Sequence, residues 1–186
     1  MQRKTIGLGI IGSGRIGTLR ARLAAEHPAV HFLATADINI DNARTLAEKV
    51  GSSVYSNNNL DIINHPQVNA VIVSTAEGEH TQAVLAAIAA GKPVLVEKPI
   101  ALNTAEAQAI IQAAEKQNAN VRVGYSRRYK ERYLIAKEQI NQGRLGKITG
   151  ASARVFNSSS QALAMLQRDP HATPVVDAST TGVAWG

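Results

Sequence analysis

Short apolar runs alternate with helical patterns along the first two thirds of the chain. The runs TIGLGII (5–11), AVHFLATAD (29–37), SVYS (53–56), NAVIVST (69–75), PVLVEK (93–98) and VRVGYS (121–126) read as six strands. Several are continuously apolar, which suits strands buried on both faces of a parallel sheet. Between them, RIGTLRARLAAEH sets Ile16, Leu19 and Leu23 at helical spacing. EGEHTQAVLAAIAAG sets His80, Val84, Ala87 and Ile88 on one helix face before Gly91 ends it. Asp41 is placed to cap a helix that stops at Gly51, and Asn103 or Thr104 to cap the Ala-rich helix over 103–117. NNLDIINHP is a brief helix or turn closed by Pro66. This alternation predicts an α/β fold built on a doubly wound parallel sheet.

The pattern changes after Ser126. Tyr129, Tyr133, Ala136 and Ile140 mark an amphipathic helix, and KITGASARVF (147–156) reads as a long strand opening a new sheet. The boundary is set at residue 126, giving domains over 1–126 and 127–186. The second is too short for an independent core and is expected to be an incomplete piece of a second α/β domain.

Composition narrows the classes. The 186 residues are 45% hydrophobic, enough for a substantial core. There is no cysteine, which excludes disulfides, thiolate metal sites and a cysteine nucleophile, and no metal site is assigned. No apolar stretch is long enough to cross a bilayer, and the glycines in the apolar start argue for a first strand over a signal peptide. A cytoplasmic protein is the default expectation. The net charge of +6 raises nucleic acid as a partner, but aromatics are only 4%. The one dense basic cluster, RRYKER (127–132), reads as a solvated helix start, so nucleic acid is not the expected partner.

Chemistry enters with GSGRIG, a G-x-G-x-x-G formed by Gly12, Gly14 and Gly17. The spacing alone is weak; its place between the first strand and first helix gives it meaning. Gly12 permits a tight turn, Gly14 lets the backbone approach a pyrophosphate, and Gly17 lets the helix pack closely on the sheet. The amides of Arg15 and Ile16 and the helix dipole would hold phosphates. Asp37 follows Gly17 by twenty positions, at the end of the second strand. A carboxylate there accepts both ribose hydroxyls and repels a 2′-phosphate, so NAD is expected. The neutral neighbours Asn39 and Asn42 leave NADP open.

GIIGSGRIG, VIVSTAEGEH, GKPVLVEKPIALN and VGYSRRY…INQGRLGKI, in this order, resemble the Gfo/Idh/MocA family of nicotinamide-dependent oxidoreductases. The match covers roughly the first 155 residues, and E-K-P is its most specific element. The resemblance implies a Rossmann domain followed by a mostly antiparallel α/β domain that supplies substrate contacts and oligomer interfaces. It implies oxidation of a CH–OH group of a sugar, cyclitol or polyol, or reduction of the matching carbonyl, by a homo-oligomer. It sets Ser74, Thr75 and Ala76 along the cofactor, with His80 either a further cofactor contact or a first-turn helix residue at the sheet edge, Glu97 facing the nicotinamide ribose, and Lys98 in contact with the nicotinamide and beside the reacting oxygen.

A physical reason supports a lysine there. Hydride leaves a carbinol carbon only as the hydroxyl proton departs, and burial beside a positive charge tunes an amine toward taking that proton. Outside this context a lysine after a strand is an ordinary surface residue. The family also implies a cis bond before Pro99, which sequence does not decide.

Downstream the family carries D-x-x-x-H. Asp177 matches the aspartate and is expected in the proton relay, but Thr181 stands at the histidine's position and cannot titrate near neutrality. His171 is the upstream alternative. Tyr125 and Arg128 are the candidate substrate contacts. Family members are longer, and the expected strand over 147–156 lacks later partners, so a truncated chain is expected, with a short protein that completes its sheet by oligomerising as the alternative. The competing function is a nicotinamide-binding module without turnover, acting as sensor or interaction protein.

Overall fold

The computed structural model of the chain describes residues 5–152 and Gln167. The chain divides into two compact units, parting between Gly124 and Tyr125.

The first unit is built on β1 (Ile6–Ile11), β2 (Val30–Ala36), β3 (Tyr55–Ser56), β4 (Ala70–Val73), β5 (Val94–Val96) and β6 (Val121–Val123). They form one sheet in the order β3-β2-β1-β4-β5-β6, with every pairing parallel. The connecting helices are α1 (Arg15–Ala25), α2 (Ile40–Lys49), α3 (Asn59–Ile63), α4 (His80–Ala89) and α5 (Thr104–Gln117). This is the doubly wound Rossmann arrangement that the strand–helix alternation predicted. Strand order reverses between β1 and β4, so their carboxyl ends open a crevice at the switch point.

Because successive strand side chains point to opposite faces, each strand feeds two cores. One contains Leu8, Ile10, Leu33 and Ile72, with Ala21 of α1 and Leu46 of α2. The other contains Ile11, Ala34, Ala36, Val71, Val73, Val94 and Val96, covered by Ile62 and Ile63 of α3, Val84 and Ile88 of α4, and Ile110 of α5. His80, Val84, Ala87 and Ile88 are all buried, as their spacing predicted.

Two local expectations need correcting. Leu19 and Leu23 of α1 are exposed; the helix instead buries Gly17 and Ala21. A Cβ at Gly17 would stand 1.8 Å from the Gly12 carbonyl oxygen, so α1 lies too close to the sheet for large side chains to intervene. The cap of α2 is Asn39, whose side chain accepts from the Asp41 N–H at 3.0 Å, while Asp41 lies within the first turn. The stops at Gly51 and Gly91 hold, both with positive φ, and Asn103 caps α5 by accepting from the Glu106 N–H.

The second unit begins with a 3₁₀ turn over Ser126–Tyr129 and continues into α6 (Glu131–Asn141). No α6 residue is buried, and Leu134 and Ile135 are exposed. Residues 147–152, the described part of the expected long strand, form no strand. A strand needs a neighbour for its amides and carbonyls, and no pairing reaches these residues among those described. The rest of that run lies outside the described residues. No described helix is long and apolar enough to cross a membrane.

Candidate active site

The glycine loop is shaped by close backbone packing. Gly12 has φ +94°, and a Cβ on it would lie 2.6 Å from the main chain of Ser74 and Thr75. Its amide donates to Ala36 O (2.8 Å), and Ser74 Oγ donates to Gly12 O (3.0 Å). The turn is therefore fastened to β2 on one side and to the end of β4 on the other. Gly14 is exposed and its missing side chain opens on empty space, with no protein atom within 4 Å of where a Cβ would stand. Just beyond it α1 begins at Arg15, and the first-turn amides have no partner within a helix. An open cradle beside first-turn amides at the positive end of a helix fits a dinucleotide pyrophosphate.

Asp37, half-buried, follows β2. One carboxylate oxygen accepts from the Ser13 N–H at 2.8 Å; the other accepts from the Asn39 N–H at 3.0 Å and lies 3.5 Å from Asn42 Nδ2. The carboxylate is thus fixed to the glycine loop itself. A carboxylate has about four lone-pair directions, so capacity remains for sugar hydroxyls. Beside it Ile38 is 93% exposed and carries no charge with which to attract a 2′-phosphate.

Across the crevice, Ser74, Thr75 and Ala76 continue from β4. The Ser74 amide donates to Ile11 O (2.7 Å), and Thr75 and Ala76 lie half-buried and exposed respectively. Glu97, Lys98 and Pro99 follow β5, and the Lys98–Pro99 peptide is cis. The Glu97 amide donates to Val73 O (2.9 Å), which extends the β4–β5 ladder by one residue. Its carboxylate accepts from Arg20 Nε at 2.8 Å and from the terminal guanidinium nitrogen at 2.5 Å. Gly124 leaves room for this pair: a Cβ there would meet the Glu97 carboxylate at 3.0 Å.

His80 is buried at 1% exposure, with Nδ1 2.7 Å from Pro99 O and Nε2 3.3 Å from Thr75 O. Both ring nitrogens therefore face carbonyl groups of the chain itself.

Sequence reasoning missed Arg20. Its signal was present, since it lies one turn after Gly17 and so on the helix side that meets the sheet. Without a fold, nothing tied it to Glu97, 77 positions away. Tyr125 and Arg128 belong to the second unit, Tyr125 half-buried and Arg128 exposed, where the Arg128 amide donates to Tyr125 O (3.0 Å). Asp177, His171 and Thr181 lie outside the described residues.

Residues 6–125 match a family described as an oxidoreductase family with an NAD-binding Rossmann fold. The inositol 2-dehydrogenase of Gluconacetobacter diazotrophicus is 38% identical over 147 residues, which is 77% of this chain and 44% of that protein. The myo-inositol 2-dehydrogenase of Thermotoga maritima is 31% identical over 75% of this chain and 42% of its own length. The chain thus spans less than half the length of these relatives. Among solved structures, a scyllo-inositol dehydrogenase from Lactobacillus casei with bound NAD(H) and scyllo-inositol superposes with a TM-score of 0.74. It is 29% identical, over 78% of this chain and 44% of that one. On the glycine cradle, the strand order and these matches, the chain belongs to the Gfo/Idh/MocA family of oxidoreductases with an NAD-binding Rossmann fold.

Proposed function

We propose that the protein oxidises a CH–OH group of a cyclitol or related polyol, or reduces the matching carbonyl, with NAD. Lys98 carries the reading: it stands two residues past the end of β5, in the E-K-P turn, at the same carboxyl end of the parallel sheet from which the glycine loop leaves β1. The relatives named for inositols favour cyclitols as the substrate class.

NAD, when bound, takes up the hydride. The Lys98 amine accepts the hydroxyl proton as that hydride leaves the carbinol carbon, a contribution worth about 10²–10⁴ in rate for a positioned acid–base group. Gly12, Gly14 and Gly17 with the amides of Arg15 and Ile16 hold the pyrophosphate. Asp37 accepts the ribose hydroxyls and disfavours NADP. Ser74, Thr75 and Ala76 flank the cofactor, and Glu97 stands toward the nicotinamide ribose. Tyr125 and Arg128 contact substrate and Asp177 joins the proton relay. Residues 127–186 belong to a substrate and oligomerisation domain. Assembly as a homo-oligomer and a cytoplasmic setting, where NAD is available, complete the reading; the exposed Leu134, Ile135, Leu145 and Ile148 support the assembly.

The test mixes protein and NAD with a panel of inositols and sugar alcohols and follows the absorbance of the reduced cofactor. Turnover with an inositol is expected, lowered about 10²–10⁴-fold by Lys98→Ala. Turnover that survives Lys98→Ala removes Lys98 from the mechanism. NAD binding without turnover on any polyol favours the module without chemistry.

A further inference from the structure

The E-K-P turn is fastened on both sides of Lys98, by different elements. On the amino side, Glu97 is tied by its amide to Val73 O and by its carboxylate to Arg20 of α1. On the carboxyl side, the Pro99 carbonyl lies 2.7 Å from Nδ1 of His80, the first residue of α4. A carbonyl oxygen only accepts, so a contact this short needs the proton on Nδ1. Nε2 lies 3.3 Å from the carbonyl of Thr75, in the segment that follows β4, and donates to it only when Nε2 also carries a proton.

Burying a polar ring is costly unless its hydrogen bonds are made. An apolar side chain would fill this place in α4 as readily, since its neighbours Val84, Ala87 and Ile88 on that face are all apolar and buried. The imidazole differs from such a side chain in its contacts with two carbonyls, and the shorter of them is the hydrogen bond to Pro99.

We propose that His80 is a positioning residue for Lys98. In its Nδ1–H form it holds the Pro99 carbonyl and so fixes one flank of the lysine, while Arg20 fixes the other through Glu97. This rests on Lys98 being the proton-relay residue, but the geometry it predicts is measurable without turnover. His80 then acts through the main chain, and the cofactor is held by the loop residues around it.

The experiment uses the whole 186-residue protein. Hydrogen exchange is followed in peptides spanning residues 94–103 for the wild type, His80→Phe, His80→Gln and His80→Asn. An asparagine amide N–H lies near the place of Nδ1, whereas a glutamine amide reaches toward that of Nε2. Exchange at Glu97 and Lys98 is expected to quicken about tenfold in His80→Phe and His80→Gln, the factor carried by one buried hydrogen bond. His80→Asn is expected to restore protection, and ring ¹⁵N spectra of the wild type to show Nδ1 protonated. The proposal is overturned if His80→Phe leaves the turn's exchange unchanged. It is equally overturned if Asn and Gln behave alike, if α4 and β5 lose protection to the same extent, or if the ring carries its proton on Nε2 alone. Should Lys98→Ala retain turnover while the His80 variants behave as expected, the catalytic reading fails and the clamp stands.

Discussion

Gly17 and Gly14 belong to one motif, yet the structure gives them different work, and alanine at each separates the two. At Gly17 a Cβ would stand 1.8 Å from Gly12 O and 2.8 Å from Ser74 Oγ. An ordinary contact needs about 3.4 Å, so α1 would have to withdraw by about 1.6 Å or the loop carbonyl turn aside. Either movement loosens Ala21 from the core it shares with Ile10 and Leu33. Overpacking of this kind costs about 1–3 kcal/mol, against which the better helix propensity of alanine returns at most about 1 kcal/mol. Gly17→Ala is therefore expected to lower stability by about 1–2 kcal/mol in urea denaturation and to weaken NAD binding, because the first-turn amides move with the helix. Gly14→Ala meets no protein atom and its φ of −70° suits any residue, so the fold should lose no more than about 1 kcal/mol from the poorer cap. Its methyl group would occupy the cradle, and NAD titration should show at least about a tenfold loss, near 1.4 kcal/mol. Equal stability of Gly17→Ala and wild type, or full NAD affinity in Gly14→Ala, would refute this division.

Asp37→Ala takes away the acceptor of the Ser13 and Asn39 amides and, on the proposed reading, of the ribose hydroxyls, so NAD affinity should fall and the preference over NADP shrink; adding Ile38→Arg should reverse the preference, read by paired titrations with the two cofactors. Lys92, at the far end of β5, donates to the carbonyls of Ile63 and His65 just where α3 ends, so Lys92→Met should cost about 1–3 kcal/mol in thermal or urea unfolding. Burial lowers the Lys92 pKa below its ordinary value of 10.5. The unfolded chain then binds the proton more tightly, so stability should rise with pH through the window below 10.5 and the slope should flatten in Lys92→Met. A slope unchanged by the substitution would remove Lys92 as its source.

The parallel sheet was legible because its signals are local. Runs such as NAVIVST and caps such as Asn103 depend on residues a few positions apart, and each also fits the position the sheet gives it. The exposure of Leu19 and Leu23 was not legible, because helical spacing marks a stripe without saying how near the stripe lies to its neighbour. Only the distance between α1 and the loop decides that glycine and alanine face the sheet. The same holds for the capping of α2, where Asn39 and Asp41 are both competent and the backbone direction out of β2 selects Asn39. Among site residues, Gly12, Gly17 and Asp37 announce themselves by spacing. The partners of Glu97 and His80 do not, since they lie 77 and 19 positions away and meet only once the strands are ordered.

The two kinds of site residue also differ in what they ask of the fold. Phosphate recognition as proposed for this loop would use backbone amides and the open space at Gly14, so it needs a turn of the right shape and tolerates change in most side chains around it. Lys98 has a long, flexible side chain, and its usefulness for proton transfer depends on where its main chain stands. Displacement of a reacting group by about 1 Å can cost about 10²-fold. A strand end alone gives weak control, because β5 has ended at Val96 and the turn beyond it lies outside the ladder after Glu97. Control then has to come from elsewhere, and α1 and α4 supply it through Arg20 and His80. Both helices begin just after carboxyl ends of strands beside the switch point, α1 after β1 and α4 after β4. The crossing order of the sheet that opens the crevice for a dinucleotide therefore also brings the two anchors of the E-K-P turn to its flanks.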